Sequence, residues 1–96
     1  MVIEFLTFDV IAEERDEWLV VEEHTWSRFL ERQPGFVSKH IWSEHGNPGQ
    51  VHAIICWTDE ASWHAIPAHE LEAVDESMGR WFRDCTMRVF DVVRDC

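Results

Sequence analysis

The stretch QPGFVSKHIWSEHGNPGQVHAIICW, Gln33 to Trp57, decides the fold. Pro34-Gly35 opens it, since proline cannot continue a helix and glycine accepts the left-handed backbone that follows a helix end. Phe36 to Glu44 reads as a strand, Gly46 to Gly49 as a turn, and Val51 to Trp57 as a second strand. A long helical segment precedes this run and another follows it. The resulting order, strand–helix–strand–strand–helix–strand, is the ferredoxin-like βαββαβ sandwich. That plan is an α+β fold with one antiparallel four-stranded sheet.

Working outward, Val2 to Val10 (VIEFLTFDV) is apolar at both parities, with Ile3 and Phe5 on one face and Leu6, Phe8 and Val10 on the other. A strand apolar on both faces is covered on both. One cover is the helix layer. This chain has no second sheet to supply the other, so two sheets are expected to pack face to face in a two-fold homodimer. Ala12 to Arg32 is predicted helical, with acids in its first turns and a stripe of Trp18, Val21, Glu22, Thr25, Trp26, Phe29 and Leu30. Strand alternation assigns Phe36, Ser38, His40 and Trp42 to one face and Val37, Lys39 and Ile41 to the other. Thr58 and Asp59 read as a helix N-cap, Glu60 to Ile66 as a short helix, Ala68 to Met78 as another after Pro67, and Thr86 to Val93 as the last strand.

Ninety-six residues make a single domain, 1–96, whose modest core would gain from a partner surface. The formal net charge of −11 repels phosphate backbones and anionic lipid, so neither nucleic acid nor a membrane surface is an expected partner. Cys56, Cys85 and Cys96 show no CxxC spacing, and reduced thiols in the cytoplasm are expected. No apolar run approaches the roughly 20 residues that span a bilayer. Six Trp and six Phe with no Tyr point to a thick apolar core, an apolar cavity or a large buried interface.

Candidate chemistry is sparse. His64 and His69 are five apart around Pro67, which is not the spacing that places two ligands on one helix face, so no metal site is expected. Glu60 with His64 has that spacing, but an exposed helix pair explains it equally well. His40 and His52 are predicted to share a sheet face with Ser38, Trp42 and Cys56. There they serve either as acid or base near neutral pH or as hydrogen-bonded interface residues. Glu4 sits inside an apolar strand; facing inward, it would hold its proton more tightly, with Arg88 as its expected partner. Trp18, Trp26, Trp57 and Trp63 have core spacing, and a pocket they lined would stack on a flat ligand. No phosphate loop or nucleophilic triad is legible.

PGFVSKHIW, then AIICWTDEASWHAI, together with the entry strand VIEFLTF, resembles the antibiotic-biosynthesis-monooxygenase-like dimeric α+β barrels, most closely a small bacterial branch of them. The resemblance covers nearly the whole chain. It implies a homodimer with a pocket in each subunit between sheet and helices. Some members oxygenate polycyclic phenols without metal or flavin. Others degrade haem with an Asn on the first strand and a Trp and a His after the third. Here the first strand has no Asn and Ile66 falls at that Trp position, so no cofactor is expected. The resemblance places Trp63, Trp26, Trp42 and Phe8 against a ligand, with His64, His69 and His40 as candidate proton acceptors. Trp63 and His64 are adjacent, about 100° apart on a helix. Two readings stand: a binder of a small apolar or aromatic ligand with cofactor-independent oxygenation, or a non-catalytic dimeric binding or sensor module whose pocket is filled by its own side chains.

Overall fold

The computed structural model describes residues 1–95, leaving Cys96 outside the described residues. Four strands, β1 (Val2–Asp9), β2 (Phe36–Trp42), β3 (Gln50–Trp57) and β4 (Cys85–Asp91), form one antiparallel sheet in the order β2-β3-β1-β4. β1 takes a central place because its alternation is apolar on both faces. Its register runs from Val2 opposite Trp57 to Asp9 opposite Gln50 on one side, and from Val2 opposite Asp91 to Phe8 opposite Cys85 on the other. The helices lie on one side of this sheet. The molecule measures 36 × 33 × 18 Å, and its short dimension is that of a sheet plus one helix layer.

The first helical segment is one rod with an interruption. A 3₁₀ turn at Ala12–Glu14 leads into α1 (Arg15–Glu22), a π-helical turn at Glu23–Ser27, and α2 (Arg28–Leu30). Pro34-Gly35 ends it, with Gly35 at φ 86° and its carbonyl accepting from Thr58 N–H at 2.8 Å. The second helical segment consists of α3 (Glu60–His64) and α4 (Ala68–Ser77), followed by a 3₁₀ turn at Gly79–Trp81. Asp59 caps α3 through its carboxylate, which accepts from Ser62 N–H at 2.7 Å.

Residues directly opposite in an antiparallel pair share a face. Val2, Glu4, Leu6 and Phe8 therefore share the helix side with Ala53, Ile55, Trp57, Lys39, Met87 and Val89. Ile3, Phe5, Thr7, His52, Ile54, Cys56, Ser38, His40, Trp42, Arg88 and Phe90 share the open side. Two expectations from the sequence change. A register shift between Phe36 and Ser38 turns Phe36 to the helix side, where its ring meets Trp57 edge-on at 6.0 Å. The extra residue of such a bulge inverts the alternation beyond it. Arg88 lies opposite Phe5 on the open side, so it cannot partner Glu4; its guanidinium sits over Phe90 instead.

The core is split in two. Val2, Leu30, Ile55 and Trp57 form one buried cluster; Trp18, Val51 and Met78 form the other. Trp26 packs against both. Trp57 and Trp18 are sealed from solvent, and each indole N–H has an acceptor: Glu4 Oε1 at 3.1 Å for Trp57, and the Trp81 carbonyl at 2.9 Å for Trp18. Satisfied indoles let these large rings be buried without stranding a donor.

Candidate functional site

Between the two clusters the helix layer does not close on the sheet. A cavity of about 480 Å³ lies there, with Glu4, Leu6, Phe8, Lys39, Ala53 and Ile55 as its floor. Trp18, Glu22, Trp26 and Leu30 form the wall from the first helical segment. Trp63, Ile66, Leu71, Asp75 and Met78 form the wall from the second, and Phe82, Asp84, Cys85 and Met87 mark the β4 end.

One end of the cavity is polar. The Lys39 ammonium donates to Glu22 Oε1 and, at 2.9 Å, to Ser27 Oγ. The Lys39 and Glu22 side chains are only 7% and 5% exposed, so this is a desolvated ion pair. The π turn builds it. An extra residue per turn brings positions five apart onto one side, and Ser27 Oγ donates to Glu22 Oε1 at 3.4 Å. An unbroken α-helix would hold those two side chains well apart around the axis.

Glu4 lies two strands from Lys39, with Ile55 between them in one cross-strand row. Burial pushes the Glu4 carboxyl up; the Trp57 N–H, the Lys39 charge and His64 pull it part of the way back. At the β4 end, burial and the nearby Asp84 push Asp75 up. Burial, then Glu4, Asp75 and Asp84, push the Cys85 thiol up and keep it protonated.

Of the residues picked out by sequence, Phe8, Trp26 and Trp63 line this cavity together. Trp42 is 54% exposed on the opposite sheet face, beside His40 and His52, and contributes nothing to the cavity wall. His52 Nδ1 is hydrogen-bonded to Thr7 Oγ1 at 2.9 Å. His64 is exposed, pairs with Glu60 at 3.6 Å, and sits 4.4 Å from the Trp63 ring, at the rim and not in the wall. His69 is exposed on α4. Among the described residues no histidine lines the cavity, and no group of three or more His, Cys, Asp or Glu is placed to hold a metal ion. Among the described residues no helix is long and apolar enough to cross a membrane. Sequence reading missed the Glu22–Lys39 pair as a site feature. Its signal was present in a glutamate inside an apolar helix stripe and the chain's sole lysine inside a strand.

No family model and no curated protein matches the sequence. Solved structures do. The heme-degrader MhuD of Mycobacterium tuberculosis, solved with two hemes in its active site, superposes with a TM-score of 0.80 at 17% identity, over 100% of this chain and 99% of that one. A mutant of SnoaB, a cofactor-independent oxygenase of Streptomyces nogalater, gives 0.78 at 23% identity over 98% and 94%. An antibiotic biosynthesis monooxygenase gives 0.70 at 18% identity over 98% and 100%. The cavity's residues do not suit haem. Its wall offers no imidazole, Cys85 is held as a thiol, and the thioethers of Met78 and Met87 are weak ligands without a histidine opposite. At these identities the likeness establishes the fold: the chain has the ferredoxin-like βαββαβ architecture of these structures, which it matches over nearly its full length.

Proposed function

We propose that the chain works as a homodimer that holds a small, flat, apolar or aromatic molecule in the cavity between sheet and helices, and oxygenates it without a bound cofactor. The observation that carries this reading is the cavity: about 480 Å³ with Phe8, Trp26 and Trp63 in its wall and the Glu4 carboxyl inside. Aromatic walls favour a ring, and a few convergent polar groups orient it. SnoaB, a cofactor-independent oxygenase of the same fold, supports the choice of reaction. The dimer rests on the open sheet face, where Phe5, Ile54, Trp42 and Phe90 make an apolar surface that a second copy would cover.

The chemistry available to these residues is a proton transfer. A phenol or enol hydroxyl set against Glu4 gives its proton to the carboxylate, whose raised proton affinity suits it as acceptor. The Lys39 ammonium, held by Glu22 and Ser27, stabilises the oxyanion left behind. An electron-rich anion of this kind reduces dioxygen directly. One oxygen atom enters a ring methylene as a carbonyl, and the other leaves as water with the two hydrogens. His64, close enough to act on Glu4 through its charge, passes the proton to solvent. His69 and His40 have no place on this route.

The test is titration with 1,8-dihydroxyanthrone under air, following tryptophan quenching and oxygen uptake together. Trp63→Leu weakens binding by roughly tenfold through lost ring contact. Glu4→Gln binds but consumes no oxygen, His64→Ala slows uptake, and His69→Ala leaves it unchanged. Absence of binding sinks the reading. Binding without uptake selects the non-catalytic sensor module, whose side-chain-filled pocket the open cavity otherwise disfavours.

A further inference from the structure

Two side chains on the cavity floor each keep a hydrogen-bonding place that the protein does not fill. An ammonium has three donors. Among the described residues the Lys39 ammonium meets two acceptors, Glu22 Oε1 and Ser27 Oγ, and no third. Its side chain is 7% exposed, so bulk water is a poor partner for the remaining N–H, and a buried donor left unmet is unfavourable. Glu4 takes the Trp57 N–H on Oε1, and among the described residues its Oε2 meets no donor. Both side chains line the cavity. A ligand there finds an acceptor at Glu4 and a donor at Lys39.

The sheet holds these two places apart. Glu4 lies opposite Ile55, and Ile55 opposite Lys39, so two inter-strand steps, about 10 Å, separate the two backbones. The polar heads are bonded to different neighbours. Lys39 is paired with Glu22 on the helix layer, and Glu4 is bonded to Trp57, which stands opposite Val2 in the next row of the same face. Buried Ile55 makes an apolar floor between them, and Trp26 and Trp63 pack against the cluster to which it belongs. The arrangement is polar, apolar, polar along one line, with a donor wanted at one end and an acceptor at the other.

We infer that the substrate is a flat, conjugated hydroxy-ketone whose two oxygens stand at opposite edges, with its hydroxyl at Glu4, its carbonyl at Lys39 and its ring over Ile55 against Trp26 and Trp63. The inference rests on the reading of the cavity as an oxygenase site and names the class of substrate. Conjugation is what joins the two ends. The hydroxyl O–H bond breaks and its proton goes to the Glu4 carboxylate. The electron pair left behind shifts through the ring, and negative charge gathers on the carbonyl oxygen, where the third Lys39 N–H meets it. A phenol without the distant carbonyl develops its charge beside Glu4, away from the ammonium. An isomer with both oxygens on one edge serves one end only.

The test uses four naphthalenes, each titrated by fluorescence quenching near neutral pH. In 6-acetyl-2-naphthol the two oxygens are at opposite ends, and in 2-acetyl-1-naphthol they are side by side; 2-naphthol and 2-acetylnaphthalene carry one each. The first is expected to bind roughly tenfold tighter than any of the others, one hydrogen bond to a charged group being worth about that factor. Once bound, it should show the long-wavelength absorption of its anion at a pH where the free compound is neutral. Glu4→Leu should bring it down to the affinity of 2-acetylnaphthalene. The double change Glu22→Leu with Lys39→Met should bring it down to that of 2-naphthol. The four probes on the unmutated protein decide the matter whether or not these variants fold. Equal affinity for the two acetylnaphthols, or a bound 6-acetyl-2-naphthol that absorbs as the neutral compound, overturns the inference while leaving the cavity as a ligand site. Failure of all four to bind overturns both.

Discussion

Glu4 and Lys39 face one cavity from strands two apart, with only the Ile55 side chain between them in the cross-strand row. The ammonium is nevertheless not the Glu4 counter-ion, because it is bonded to Glu22 and Ser27. Burial therefore wins at Glu4, and its carboxyl holds its proton more tightly folded than unfolded. The stability linked to that proton is fully present below the unfolded value and is lost as pH rises through the folded one. Glu4→Gln keeps an acceptor for the Trp57 N–H and removes the titration. The variant is expected to match the parent in mild acid and to exceed it at neutral pH. Urea melts at the two pH values check this, and an offset that does not change with pH would show that Glu4 is not held up by burial.

Glu22→Ala strips the partner from a lysine whose side chain is 7% exposed. A buried charge left unpaired costs about 3–5 kcal/mol. The double change Glu22→Leu with Lys39→Met removes both charges together and is expected to recover most of that loss, since a desolvated pair contributes little over an apolar one of similar volume. Chemical denaturation of the single and double variants decides it. A double variant no more stable than Glu22→Ala would mean that the pair is required for the fold in some other way.

Gly35 and Gly46 have nearly the same backbone, φ 86° and 83°, in different surroundings. A Cβ on Gly35 would stand 2.4 Å from Ser62 Cβ and 2.9 Å from its hydroxyl, whereas one on Gly46 would meet nothing within 4 Å. Gly46→Ala is expected to cost about 1–2 kcal/mol for the left-handed conformation alone. Gly35→Ala adds a clash between the PGF turn and α3, worth a further 1–3 kcal/mol or so. Urea midpoints of the two variants give the difference directly, and equal midpoints would show that α3 shifts freely away from the turn.

The fold was legible because its signals are local. Pro34-Gly35, the Gly46–Gly49 turn and the two-sided apolarity of β1 each constrain a few neighbouring residues, and together they leave the βαββαβ order and its sheet. Alternation failed at Phe36, because the register shift before Ser38 puts one extra residue into the strand and nothing in the residue types there marks it. The cavity was harder to see. Phe8, Trp26 and Trp63 were visible as large aromatics at spaced positions, but whether a tryptophan fills a core or walls a gap depends on what faces it. Trp18 and Trp57 are sealed, while Trp26 and Trp63 are only partly buried. The Glu22–Lys39–Ser27 cluster depends on a π turn, and an insertion of that kind leaves the three-and-four stripe around it intact. The Glu4 partner was misjudged for a reason of parity: Arg88 is one position out of register and so on the other face.

Phe5 lies at the middle of the open sheet face, flanked by Ile54 and Arg88 across the strands, and packed against His52 at 5.2 Å and Phe90 at 6.0 Å. In the proposed dimer this ring lies near the centre of the contact, where charge is tolerated least. Phe5→Asp sets a carboxylate there on each copy, so two like charges would be buried together. The expected outcome in sedimentation equilibrium at micromolar concentration is a dimer for the parent and a monomer for the variant. The helix-side core and the cavity do not use Phe5, so the monomer should keep its far-ultraviolet circular dichroism, with lowered stability. His40→Ala, nearer the β2 edge of the same face, should leave the dimer in place. A parent protein that sediments as a monomer, with this apolar face open to water, would remove the second copy from the proposed function.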